Sequence, residues 1–289
     1  MTQLARSTAI RRLLIVVTVL AVAGALAVLL PRGEQPVVRL AEAARNTGFA
    51  GVVIFFLVYI VSTVALLPGD PFRVPLIAEH LTDVREVAHK REHRTMVGTY
   101  QGREITATST GMGCPSTAIA AEELARVGVT SLIRVGSTAA LQPGIQPGDL
   151  IVSEGSFRND GTSDAYVPKG YPAVPDLEIT LRLEHEAREA AAEGDFGVHV
   201  GLNVTDDAFY AESPEWTTRM SELGLVNVEM ESSALFVVAR QRGLRAAMIC
   251  AVSSNLVEGA TVYETHERLA AGWHHSIEVA LRTAVALSL

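Results

Sequence analysis

The sequence predicts an α/β domain preceded by an apolar N-terminal segment. Short apolar runs alternate with stretches of helical period from residue 69 onward. Polar, glycine-containing elements follow the ends of several apolar runs, the pattern of a ligand crevice at the strand ends of an open α/β sheet. Two long uncharged stretches lie ahead of all this, Leu13–Leu30 and Gly48–Leu67. No repeat, low-complexity tract or charge run interrupts residues 69–289, which read as one domain.

The hydrophobic content of 48% and mean hydropathy of +0.26 are high for a wholly soluble chain, and the excess sits in those two stretches of 18 and 20 residues. Arg11 and Arg12 precede the first, as in a secretory signal. The run is longer than a signal core, however, no small-residue cleavage site closes it, and a second apolar stretch follows. A two-helix membrane hairpin fits better, with the arginines holding the start, and therefore the C-terminal body, in the cytoplasm. Arg32, Arg39 and Arg45 in the connecting loop weaken that orientation.

Six arginines against Glu34 and Glu42 give residues 1–68 a charge of +4, so the remainder carries −12 of the total −8. An acidic body disfavours nucleic acid as a partner. Cys114 and Cys250 lie in apolar segments without metal-type spacing and read as reduced core thiols.

Along the body, Glu104–Thr108 alternates as a strand, and Pro115-Ser116 opens a helix that Gly128 closes. Ser131–Val135 and Asp149–Ser153 read as short buried strands. Asp176 caps a helix running to about Glu193, with Gly194 as its stop. Ala246–Val252 is the next strand, and Glu264–Leu287 a closing helix.

Four elements carry candidate chemistry. In Leu66-Leu67-Pro68-Gly69-Asp70-Pro71-Phe72-Arg73 an apolar run delivers a turn and then an arginine. Ser109-Thr110-Gly111-Met112-Gly113-Cys114-Pro115-Ser116, Arg134-Val135-Gly136-Ser137-Thr138 and Glu229-Met230-Glu231 follow in the same manner. Gly69 allows close backbone approach, Arg73 and Arg134 offer forked donors for an anion, and Ser137 adds a hydroxyl and an amide at an expected turn. Arg134 has apolar neighbours, so a merely solvated role fits it poorly. A carboxylate at Glu229 or Glu231 can accept both hydroxyls of a vicinal diol. Favouring a helix dipole explains Glu231 adequately and Glu229 badly. Phe209 by composition alone would be core.

Taken in order, these motifs from about Thr63 onward resemble the nucleoside phosphorylase family of the uridine phosphorylase and hexameric purine nucleoside phosphorylase type. The resemblance implies a three-layer α/β/α phosphorylase-type domain with a mixed central sheet. It implies phosphorolysis of a nucleoside to free base and ribose 1-phosphate, with inorganic phosphate as co-substrate and no cofactor. Phosphate falls to Gly69, Arg73, Arg134 and Ser137, joined by Arg91 reaching across from a neighbouring subunit of a dimer-based oligomer, up to a hexamer. Glu231 and Met230, with Glu229 beside them, take the ribose; Phe209, Thr138 and Ser254 surround the base. Arg73, Arg134 and Glu231 are the catalytic set. Glu92 and Ser116 match a monovalent-cation site of some uridine phosphorylases, although a surface glutamate and a helix-cap serine explain them as well.

The base preference points two ways. Thr110–Thr117 and Ile119–Leu124 are closer to the uridine branch, which comes first here. The glutamine and arginine that read uracil in that branch are missing after Phe209, and the spacing from Phe209 to Glu229 is that of purine enzymes. Those enzymes have an aspartate where Ser254 stands, and Ala139 replaces a usual glycine. A purine nucleoside phosphorylase is therefore the alternative, ahead of a hydrolytic nucleosidase or a membrane-tethered nucleoside-binding protein.

The family's first strand falls at about Thr63–Leu67, inside the second apolar stretch. A helix over residues 49–62 would then span only about 21 Å of a hydrocarbon core of roughly 30 Å. Residues 1–68 also resemble the start of DedA or SNARE-associated-type membrane proteins, which suggests that two unrelated coding segments meet near Leu67-Pro68-Gly69.

Overall fold

The computed structural model describes residues 63–259 and 266–287. The N-terminal segment, with its expected membrane helices, lies outside the described residues. Among the described residues no helix is long and apolar enough to cross a membrane.

Among the described residues, nine strands form one mixed sheet in the order β2-β3-β4-β1-β5-β8-β7-β6-β9, with β9 also paired to β5. Strand β1 is Val64–Leu67, so the end of the second apolar stretch is sheet. Then come β2 Thr82–Lys90, β3 His93–Tyr100, β4 Arg103–Thr108, β5 Ser131–Ala140 and β6 Leu150–Asn159. The last three are β7 Val198–Asp206, β8 Asn227–Glu229 and β9 Arg245–Asn255. The helices are α1 Val74–Ala78, α2 Cys114–Arg126, α3 Gly161–Tyr166, α4 Leu177–Glu193, α5 Pro214–Glu222, α6 Ser232–Gln241 and α7 His266–Ala286.

Period-2 alternation makes the three layers. In β1, Val64 and Leu66 enter one core with Ile179 and Leu183 of α4 and Ile277 and Leu281 of α7. Ala65 and Leu67 enter a second core with Ala121 and Leu124 of α2 and Leu235 and Val238 of α6. Strand β9 repeats the division, Ile249 on the first side and Met248 and Cys250 on the second. Burial on both faces explains why these strands read as continuous apolar runs.

Helix ends follow their caps. Asp176 accepts from the Ile179 amide at 3.0 Å to start α4, as its sequence position predicts, and Asp160 and Ser213 do the same for α3 and α5. At the far end of α7, Arg103 Nη1 donates to the carbonyls of Ala284, Val285 and Leu287. Two strands run well past expectation: β5 to Ala140 and β6 to Asn159. The site depends on that extension of β5.

Candidate active site

Strand β5 has two edges. Along one it pairs with β9 over its whole length. Along the other it pairs in parallel with β1 through Ser131–Arg134, and antiparallel with β8 only at Ala139 and Ala140. Among the described residues, no strand pairs with residues 135–138 on that edge. The gap is framed by the turn after β1, carrying Gly69 and Arg73, and by Glu229-Met230-Glu231, which leave β8 alongside it.

Arg134 ends the stretch paired with β1 and is buried at 4% exposure. Its Nε donates to Glu229 Oε2 at 3.0 Å and its Nη2 to Glu231 Oε2. Burial opposes the charge, but the two carboxylates more than offset it and raise the pKa. Its Nη1 is buried without a partner among the described residues, and so is Nη1 of Arg73. Arg73 reaches the gap from a one-turn 3-10 helix, Pro71–Arg73, capped by Asp70 accepting from the Phe72 amide at 2.8 Å. Burial, and then the like charge of Arg134, lower the Arg73 pKa.

A methyl built on Gly69 would lie 3.5 Å from Arg73 Nη2, 4.0 Å from Arg134 Nη1 and 3.4 Å from the Gly111 carbonyl. The glycine thus stands where both guanidiniums converge. Two buried orphan donors beside a bare backbone are a cradle for an anion.

Glu229 and Glu231 are both buried, at 4% and 5% exposure, but are used differently. Glu229 is saturated: Oε1 accepts from Thr205 Oγ1 and Ser232 Oγ, each at 2.7 Å, and Oε2 from Arg134 and from the Glu231 amide at 2.9 Å. Glu231 accepts from the Gly113 amide at 2.7 Å and from Arg134. With about four lone-pair positions on a carboxylate, Glu231 keeps capacity for a ligand. Burial raises its pKa; Arg134 opposes the shift and Glu229 adds to it. Gly113 is the N-cap of α2 with φ 87°, a backbone that glycine tolerates, and it aims its amide at Glu231. Met230 is half-buried between the two carboxylates.

The remaining predicted residues scatter more. Ser137 lies half-buried within β5, not in a turn, on the unpartnered edge segment. The Thr138 hydroxyl donates to the Val228 carbonyl at 2.6 Å and accepts from Asn227 at 2.7 Å, so the side chain braces β5 against β8. Ser254 is buried and pairs in register with Ala139. Phe209 begins a 3-10 turn after β7 and is 56% exposed, edge-on to Tyr210. Arg91 is exposed, with φ 55°, in the tight turn between β2 and β3. Ser116 Oγ lies 3.0 Å from Glu92 Oε1 and 2.5 Å from the Thr110 carbonyl, in the first turn of α2 rather than at its cap. Cys114 and Cys250 are free and buried, and burial pushes the Cys250 thiol up to about 12.

Two residues went unread in the sequence. Glu212, after Phe209, lines a cavity of about 420 Å³ with Pro214, Thr217 and Leu256, and burial followed by Asp206 pushes its pKa up to about 7. Trp273 of α7 packs on Arg73. Neither sits in a motif, so only the fold brings them in.

These features define an α/β protein that gathers two arginines and two buried carboxylates at the strand ends of a mixed sheet. The sequence model of the phosphorylase superfamily matches residues 63–287, and the chain belongs to that superfamily, among its nucleoside phosphorylases. It is 44% identical to the guanosine phosphorylase of Halorubrum lacusprofundi, covering 69% of this chain and 81% of that one. It is likewise 44% identical to the uridine phosphorylase of Thermococcus kodakarensis, over 68% of this chain and 74% of the relative. The Escherichia coli uridine phosphorylase is 37% identical over 67% and 81%. The crystal structure of uridine phosphorylase from Vibrio fischeri superposes with a TM-score of 0.72 at 36% identity, covering 78% of this chain and 93% of that one.

Proposed function

We propose that the protein splits a nucleoside with inorganic phosphate into free base and ribose 1-phosphate, in the manner of a uridine phosphorylase. The observation that carries this reading is that Arg73 and Arg134, each with a buried, unpartnered Nη1 among the described residues, bring their guanidiniums together at Gly69. A hydrolytic nucleosidase would have no use for such a clamp, because water carries no charge to hold.

In this reading phosphate sits against Arg73, Arg134 and Gly69, with Ser137 on the open edge of β5. Glu231 accepts the ribose hydroxyls, and Met230 lies against the sugar. As the bond from C1′ to the base breaks, its electron pair leaves with the base and the ribose becomes cationic; the phosphate and the buried carboxylates stabilise it, a phosphate oxygen then bonds to C1′, and the proton that hydrogen phosphate gives up goes to the departing base. Phe209 packs on the base near Ser254. The half-saturated Glu231 contacts substrate while the saturated Glu229 holds Arg134 in place. Arg91 completes the phosphate site from a neighbouring subunit of a homo-oligomer.

A purine base is the second reading, favoured by the guanosine-specific name of the Halorubrum relative and by the spacing from Phe209 to Glu229. The test uses the full chain with uridine, guanosine and adenosine, with and without phosphate. Base release that requires phosphate and yields ribose 1-phosphate supports the proposal, and the preferred nucleoside decides the base. Equal release without phosphate would make the protein a nucleosidase, and binding without release a nucleoside-binding protein.

A further inference from the structure

The two arginines of the anion site are held by different means. Arg134 is fixed by two carboxylates at hydrogen-bond range. No ion pair fixes Arg73 among the described residues. Its strongest electrostatic neighbour is Arg134, of the same sign, with Asp70 and Glu231 among the groups that oppose that repulsion. A half-buried cation beside a like charge gains from some other anchor.

What faces Arg73 is an aromatic ring. Its Cζ lies 5.2 Å from the ring centroid of Trp273, within the range over which an indole attracts a guanidinium. Trp273 packs against the core that includes Val74 and Ile77 of α1, the helix that begins directly after Arg73. Its Nε1 is buried with no acceptor among the described residues.

We propose that Trp273 is a positioning residue of the anion site, its indole face holding the Arg73 guanidinium beside Gly69 against repulsion from Arg134. Trp273 does not touch the anion itself. It lets the site be assembled before phosphate arrives, lowering the cost of bringing two cations together. The proposal rests on the reading of Arg73 as a phosphate ligand.

The test compares phosphate KM, nucleoside KM and melting temperature in the full chain. Trp273→Leu keeps apolar volume and removes the π face, so phosphate KM should rise about 5- to 30-fold while nucleoside KM changes little. Trp273→Phe should recover most of the loss. In an Arg73→Met background, Trp273→Leu should add nothing to phosphate KM, since no guanidinium remains to hold. If Trp273→Leu fails to fold, fluorinated tryptophans incorporated into a Trp216→Phe chain label Trp273 alone. Each added fluorine weakens the ring's attraction for a cation at nearly constant shape, and phosphate KM should climb in step. A Trp273→Leu effect that persists without Arg73, an equal rise in both KM values, or indifference to fluorination would each overturn the proposal. Unchanged phosphate KM in Arg73→Met would instead overturn the phosphate reading beneath it.

Discussion

Replacing Glu229 with glutamine separates the two carboxylates that the Glu-Met-Glu sequence presents as near equals. The Glu229 side chain is 1% exposed and faces Arg134 Nε at 3.0 Å. Glutamine keeps the shape, and the Thr205 and Ser232 hydroxyls around Oε1 can rotate to accept from a new amide. What is lost is the charge. Removing one partner of a buried pair costs about 3–5 kcal/mol, and the surviving contact to Glu231 places this case near the lower end. At roughly 2–4 °C per kcal/mol for a domain of this size, the melting temperature should fall by about 6–12 °C. Glu231→Gln makes the same charge change against the same arginine but disturbs fewer internal donors. It should cost less stability and more kcat/KM, and it should hit ribonucleosides harder than 2′-deoxyribonucleosides. Thermal denaturation beside steady-state kinetics on both variants checks this. A Glu229→Gln protein melting within about 2 °C of wild type, under ~1 kcal/mol, would refute the assignment of Glu229 as the internal holder of Arg134.

Gly69→Ala should fold normally, since its methyl meets only ordinary contact distances. It would crowd the anion, and phosphate titration should show affinity down by about tenfold or more, the ~1.5 kcal/mol of one charge-assisted hydrogen bond. Glu212 holds a proton in the folded state up to about pH 7, one that the unfolded chain releases near pH 4.3. Stability should therefore decline as pH rises between those values and level off above them; Glu212→Gln should flatten that slope in denaturant melts. Ser254→Asp places an acid where a purine would be protonated. Adenosine or guanosine phosphorolysis should improve, by as much as ~10²–10⁴-fold with good geometry, while uridine gains nothing; a uridine gain would contradict the placement of the base.

The strands buried on both faces were legible in the sequence because their apolar runs are continuous, as in Ala246–Val252. Arg134 stood out because a charge inside Leu132-Ile133-Val135 demands a partner, and Glu229 and Glu231 supply it. The paired strands β2 and β3 were not read. Thr82–Lys90 is exposed or half-exposed throughout, so burial imposes no alternation on it. The residues alone favoured Glu229 for a functional role and the family resemblance favoured Glu231; the structural difference between them lies in donors drawn from β7 and the start of α2. Ser137 was expected in a turn because Gly-Ser-Thr is turn-like chemistry, yet pairing with β9 on the opposite edge holds it extended.

The crevice exists because one edge of β5 runs on between two neighbours that each cover only part of it. Its floor therefore includes main chain: those amides and carbonyls of residues 135–138 that point away from β9, which no side-chain substitution removes. Such a floor offers nearly the same hydrogen-bonding surface whatever sequence is threaded through it. In the proposed function, differences in substrate then arise at the rim, from Phe209 in the turn after β7 and Ser254 at the end of β9, the residues assigned to the base. A fold of this kind separates the part of its chemistry that can drift from the part that cannot.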